Sequence, residues 1–177
     1  MRVVAGAFGG RRLVAPRGRS TRPTSDRVRE AVFSILGGSV DGARVLDLFA
    51  GSGALAIEAL SRGAADAVMV DSSAAAVDAI RRNLLAVGAH AEVRRQAAAS
   101  YLEAARRDAR LYDLVFLDPP YRHASTLGQE LSAALGPVLA PRARVVAESD
   151  RRAPLDLDLR LLDERRYGDT LIRIYGP

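Results

Sequence analysis

A chain of 177 residues, 49% of them hydrophobic and none of them cysteine, has room for one domain with a sizeable core, and excludes a disulfide framework or a thiolate nucleophile. No apolar run is long enough for a signal peptide or a bilayer span, and His90 and His123 are too isolated to suggest a metal cluster, so a metal-free cytoplasmic protein is expected. All 26 basic residues are arginine, and the net charge of +5 is unevenly placed: residues 1–30 carry eight arginines against Asp26 and Glu30, a net +6, which leaves −1 for the rest. Arginine suits bidentate phosphate contacts and stacking on bases, so this end of the chain reads either as a nucleic-acid footprint or as a solvated arm.

Val3 to Val14 predicts a hairpin around Gly6, Gly9 and Gly10, followed by a loop at Pro16 and Gly18. Thr24-Ser25-Asp26 offers helix-capping side chains, and Val28, Ala31, Val32 and Ile35 then recur at the spacing of one helix face. From Arg44 the pattern alternates. Strands are expected at 45–49, 68–71, 91–94, 114–117 and 144–148, with helices at 54–62, 74–87, 100–107 and 126–135 between them. Two last strands near 157–162 and 170–175, joined by Tyr167-Gly168-Asp169, would pair as an antiparallel hairpin. Strands alternating with helices argue for an α/β fold whose parallel sheet is covered on both faces, with ligands at the carboxyl ends of the strands.

Asp47-Leu48-Phe49-Ala50-Gly51-Ser52-Gly53 closes the first of these strands. The glycines let the backbone turn sharply and approach a ligand, and the next helix begins with free N–H groups. Asp71 ends the next strand, where a carboxylate can accept both hydroxyls of a ribose. Three readings fit: a turn without a ligand, a dinucleotide site through Gly51-x-Gly53-x-x-Ala56 and Asp71, and an S-adenosylmethionine site. Asp47 favours the third, because a carboxylate there repels a pyrophosphate and attracts an ammonium group.

Asp118-Pro119-Pro120-Tyr121 follows the fourth strand in the same ligand-facing row. An aromatic amino group is a poor nucleophile because its lone pair is delocalised into the ring. Two acceptors, the Asp118 carboxylate and the Pro119 carbonyl, could hold its hydrogens. The consecutive prolines stiffen that geometry, and Tyr121 could stack on a base turned out of its helix. The other reading is a proline stop after a strand. Direct attack of the nitrogen on a sulfonium methyl requires no covalent enzyme intermediate, in keeping with the missing cysteine. The four residues suit guanine N2 and adenine N6 equally.

Four blocks in order, Arg22-Pro23-Thr24-Ser25-Asp26-Arg27-Val28-Arg29-Glu30-Ala31, Asp47 to Gly53, Asp118 to Tyr121, and Arg165-Arg166-Tyr167-Gly168-Asp169-Thr170, resemble the RsmD family, whose members methylate N2 of one guanine in 16S ribosomal RNA. The second and third blocks are shared by many methyltransferases; the first and last are more specific. The resemblance covers essentially the whole chain. It implies a Rossmann-like class I methyltransferase sheet of seven strands over residues 21–177, with a basic hairpin extension over residues 1–20 that helps to hold RNA. It implies that Arg11, Arg12, Arg22, Thr24, Arg27 and Arg29 contact the RNA. By motif position, Asp47, Ala50, Gly51 and Gly53 would face the methionine end of S-adenosylmethionine and Asp71 its ribose, with Ser72, Gln96 and Ala97 as further cofactor contacts, the adenine being held by Gln96 or by backbone groups because the Ala97 side chain cannot bind it. Two positions depart from the family's habit. Ala97 replaces a polar residue, commonly Asp, at the third strand's end, and Ser72-Ser73 follows Asp71 where a charged or bulky residue is common. The alternatives are an adenine-N6 methyltransferase and a non-catalytic RNA-binding factor. A short basic appendage is too small to select one guanine unaided, so the expected substrate is 16S RNA in a partly assembled small subunit.

Overall fold

The computed structural model describes residues 1–16, 25–119 and 124–177, with the backbone alone at 124–126. Seven strands form one sheet: β1 (Arg44–Asp47), β2 (Asp66–Asp71), β3 (Glu92–Arg95), β4 (Tyr112–Leu117), β5 (Leu139–Asp150), β6 (Arg160–Tyr167) and β7 (Thr170–Gly176), in the order β3-β2-β1-β4-β5-β7-β6. The first five are parallel, and β7 pairs antiparallel to both β5 and β6. The chain winds outward from β1 to β3, then returns to lay β4 against the other side of β1. That reversal opens a crevice at the carboxyl ends of β1 and β4, the usual place for a ligand in such sheets.

Among the described residues five α-helices cover the sheet: α1 (Asp26–Leu36), α2 (Ala54–Ser61), α3 (Ala74–Val87), α4 (Ala98–Arg107) and α5 (Ala124–Leu135). Successive strand residues alternate between the two faces. Val45, Leu114, Phe116 and Val146 pack with α1, α2 and α3, whereas Leu46, Val115, Leu117 and Val145 pack with α4 and α5. Burial on both sides explains why the central strands read as continuous apolar runs. Among the described residues no helix is long and apolar enough to cross a membrane.

Ser25 caps α1, its hydroxyl accepting from Val28 N at 3.3 Å, and Gly37 ends the helix with φ +49°. The buried face is Val28, Arg29, Val32, Phe33 and Leu36, not the face predicted through Ala31 and Ile35; Ile35 lies exposed. The offsets 0, 3, 4 and 7 from Val28 leave out Arg29, Phe33 and Leu36, the residues on which the helix turns inward. Phe33 instead meets Phe116, with ring centroids 5.8 Å apart, and carries the Arg62 guanidinium over its other side at 4.9 Å.

The N-terminal segment closes as a hairpin through one Arg2–Arg12 bridge, with Val3 N donating to Arg11 O and Gly10 N to Val3 O. Val3 and Leu13 enter the same core as Val45 and Phe116. The buried Glu58 on α2 accepts from Val4 N at 2.6 Å and Ala5 N at 3.0 Å, and Asn83 on α3 exchanges hydrogen bonds with Val14 N and Val14 O. A Cβ at Gly6 would fall 1.8 Å from Ser61 O, so only glycine permits this close docking.

Elsewhere the elements lie close to their expected places, with two shifts. β5 is longer than predicted, running 139–150. The run predicted as a strand at 157–162 begins pairing only at Arg160, because Leu155 and Leu157 serve as core anchors in the connection and Tyr175 Oη holds Leu155 O.

Candidate active site

The crevice is built from strand ends. β1 delivers Asp47, β2 delivers Asp71, β4 runs into Asp118 and Pro119, and β5 carries Glu148. Asp47 lies level with Phe116 across the β1–β4 pair, and Leu117 lies level with Ala147 across the β4–β5 pair. Asp118 therefore stands beside Glu148, and alternation puts both on the face that holds Asp47.

The glycine turn packs against this row. Gly51 N donates to Asp71 Oδ2 at 2.9 Å and Ser73 N to Asp71 Oδ1 at 2.8 Å, so Asp71 ties the turn after β1 to the start of α3. Among the described residues, a Cβ on Gly51 would meet only Phe49 O, at 3.9 Å, and no other described atom crowds that side of the turn. Gly53, at φ +77°, starts α2, and a Cβ there would lie 3.0 Å from Met69 Sδ and 3.3 Å from Ile80 Cγ1. Gly53→Ala is expected to destabilise the protein by about 1–2 kcal/mol and to shift the turn that Gly51 depends on. Thermal denaturation and calorimetric ligand titration check both effects.

Burial raises the Asp47 carboxyl to about 7; repulsion from Asp71 adds to this, while the amides of Ala56 and Phe49 oppose it. Asp118 is raised well above the ordinary carboxylate range, first by desolvation and then by the charges of Glu148 and Asp47. Asp47 and Asp118, two neighbouring acids held up by burial, favour ligands that bring positive charge or hydrogen-bond donors.

Ala50 is buried beneath the turn, its N–H donating to Val70 O at 3.0 Å. Ser72 is exposed beside Asp71; Gln96 is half-buried and Ala97 exposed at the start of α4, after β3. Arg11, Arg12 and Arg27 are exposed, and Arg11 Nη1 donates to Val87 O at 2.6 Å. Arg29 corrects the expectation of a surface RNA contact. Its side chain is 1% exposed and ties the first turn of α1 to the N-terminal segment, pairing with Asp26 at 2.8 Å and donating to Arg2 O. Pro120, Tyr121, Arg22 and Thr24 lie outside the described residues.

Glu148 was missed as a site residue. A signal was available: an acid at the carboxyl end of an apolar strand, as at Asp47, Asp71 and Asp118, recurs in Val145-Val146-Ala147-Glu148.

The sheet order and the glycine turn define a class I methyltransferase fold. The family model described as "Conserved hypothetical protein 95" matches residues 1–176, and the chain belongs to that family, the RsmD family. YlbH of Bacillus subtilis is 41% identical over 99% of this chain and 98% of its own length. The ribosomal RNA small subunit methyltransferase D of Haemophilus influenzae is 32% identical over 99% of this chain and 93% of its own. Among solved structures, yhhF of Escherichia coli superposes with a TM-score of 0.84 at 35% identity, covering 99% of this chain and 97% of that one.

Proposed function

We propose that this chain transfers a methyl group from S-adenosylmethionine to the exocyclic N2 of a specific guanine in 16S ribosomal RNA. The observation that carries this reading is the placement of Asp118 and Pro119 at the end of β4, in the crevice beside Asp47 and the Gly51 turn. Family membership and the ribosomal RNA enzyme of Haemophilus influenzae among its relatives support RNA as the polymer.

The residues present fit the cofactor. The Asp47 carboxylate suits its ammonium, the open side of Gly51 its methionine chain, and Asp71 its ribose hydroxyls. When bound, S-adenosylmethionine supplies an electrophilic methyl on a sulfonium. Asp118 and the Pro119 carbonyl accept the hydrogens of the target amino group and aim its lone pair, so that positioning and electrostatics supply most of the rate. Asp118 need not be a strong base, because a methylated arylammonium loses its proton readily. The exposed Arg11, Arg12 and Arg27 would contact phosphates, and Arg22 and Thr24 would complete that surface in the same reading. Because this footprint is small, the substrate in this reading is a partly assembled small subunit whose proteins present the base.

Asp47 makes the cofactor affinity depend on pH. A carboxyl raised from 3.8 to about 7 stabilises the folded protein below the unfolded value, and that contribution is lost as pH rises through about 7. The ligand-free protein is therefore expected to melt at lower temperature as pH rises from roughly 5 to 8, and Asp47→Asn to flatten the trend. Over the same range wild-type affinity for the cofactor should increase as Asp47 ionises, whereas the variant binds more weakly and without that slope. Melting curves and calorimetry at several pH values read both.

The activity itself is tested by incubating the protein with labelled S-adenosylmethionine and either protein-free 16S RNA or assembly particles, then mapping the modified nucleotide by mass spectrometry. N2-methylguanine at one position, formed faster on particles, is expected. Methyladenine as the product would overturn the base assignment, and equal rates on both substrates the particle assignment.

A further inference from the structure

The Asp118 and Pro119 acceptors suit any aromatic amino group, so the choice of base needs another residue. We infer that Glu148 makes that choice, accepting the N1–H of guanine while Asp118 and Pro119 hold the N2 amino group. The inference rests on the guanine-N2 reading and assigns its specificity to one side chain.

The geometry is that of adjacent parallel strands. Phe116 and Leu117 of β4 lie level with Val146 and Ala147 of β5, so the next residues, Asp118 and Glu148, are neighbours on one face, about 4.8 Å apart in the backbone. Glu148 is 5% exposed, and after burial itself its charge is the next cause that holds the Asp118 carboxyl up. Two carboxyl side chains rising from adjacent strands on one face can converge on two adjacent donors of one base edge.

Guanine presents N1–H and the N2 amino group side by side. Adenine presents its amino group beside N1, which carries a lone pair and no hydrogen. An ionised carboxylate only accepts, so Glu148 would bond guanine and repel adenine at the atom where the two differ. With about four acceptor sites, the Glu148 carboxylate can keep a protein contact and still receive this hydrogen. Burial adds to the discrimination, because a buried acceptor left without its donor is penalised more than an exposed one.

The test compares wild type with Glu148→Gln on assembly particles whose RNA carries either guanine or 2-aminopurine at the target position. 2-Aminopurine keeps the N2 amino group but has a lone pair at N1. Wild-type kcat/KM should favour guanine by roughly 100-fold or more. Glu148→Gln should lose about 10- to 100-fold on guanine and bring the two bases within several-fold, because its amide can donate to the N1 lone pair. Cofactor binding, read by calorimetry, should be unchanged. Equal wild-type rates on the two bases would overturn the role of Glu148 without any variant, and so would an undiminished guanine preference in a folded, cofactor-binding Glu148→Gln. If wild type modifies no guanine N2, the guanine reading itself fails, and this inference falls with it. If wild type modifies guanine N2 and the variant keeps its preference, only the inference fails.

Discussion

Replacing Asp118 by alanine is expected to lower kcat by roughly 10²- to 10³-fold, while the affinity for S-adenosylmethionine stays within a few-fold of wild type. The glycine turn and Asp71 are held by their own hydrogen bonds, Gly51 N and Ser73 N to the Asp71 carboxylate, and these remain in place in the variant. What is lost is one of the two acceptors that orient the amino group, an interaction that matters most as the nitrogen becomes pyramidal and attacks. Single-turnover assays with calorimetry separate the two quantities, and near-normal turnover would remove Asp118 from its role. The same substitution should stabilise the ligand-free protein. Asp118 is desolvated and repelled by Glu148 and Asp47, so its stabilising contribution is present while it is protonated and is lost as pH rises. A higher melting temperature at alkaline pH, together with lost activity, would show that the fold bears a cost at this position for the sake of the reaction.

Much of this site was legible in the sequence because it sits where strands end. An apolar run closing on an acid names both the strand and a residue at its carboxyl end, and Asp47, Asp71 and Asp118 were all visible that way. Pairings between distant elements left no such mark. Which strand lies beside β4 depends on topology, so nothing local in Val146-Ala147-Glu148 brings Glu148 next to Asp118; the β4–β5 register does. Arg29 failed for a related reason. Arginine is rarely buried, so its position reads as surface, yet Asp26 and the Arg2 carbonyl give its guanidinium partners inside the protein. The hairpin at the N-terminus was legible from its glycines, but its anchors on α2 and α3 were not, because Glu58 and Asn83 read as polar helix residues. Both are at most 1% exposed, which marks them as partners of another segment's backbone and not as surface.

That anchoring predicts the largest structural effect in the chain. Glu58 has no exposed surface, and its carboxylate accepts from Val4 N, Ala5 N and Arg62 Nε at 2.6–3.0 Å. Glu58→Ala strands these donors in a confined space and breaks an ion pair whose acid is buried and whose arginine is partly exposed, at a cost of roughly 3–5 kcal/mol. For a protein of this size the melting temperature should fall by on the order of 10 °C. Glu58→Gln should recover only part of the loss, because one oxygen becomes an amide that faces amide donors. The functional consequence follows from what the segment carries. With Val4 and Ala5 unlatched, Arg11 and Arg12 lose the fixed position that the hairpin gives them, and the phosphate contacts assigned to them in the proposed function weaken first. Below the melting transition, Glu58→Gln should therefore raise KM for the RNA substrate several-fold and make the rate less sensitive to salt, while the Kd for S-adenosylmethionine is unchanged because the Gly51 turn and Asp71 are intact. A loss of cofactor affinity equal to the loss of RNA affinity would mean instead that the N-terminal segment supports the whole crevice through α2, whose first residue follows Gly53 directly.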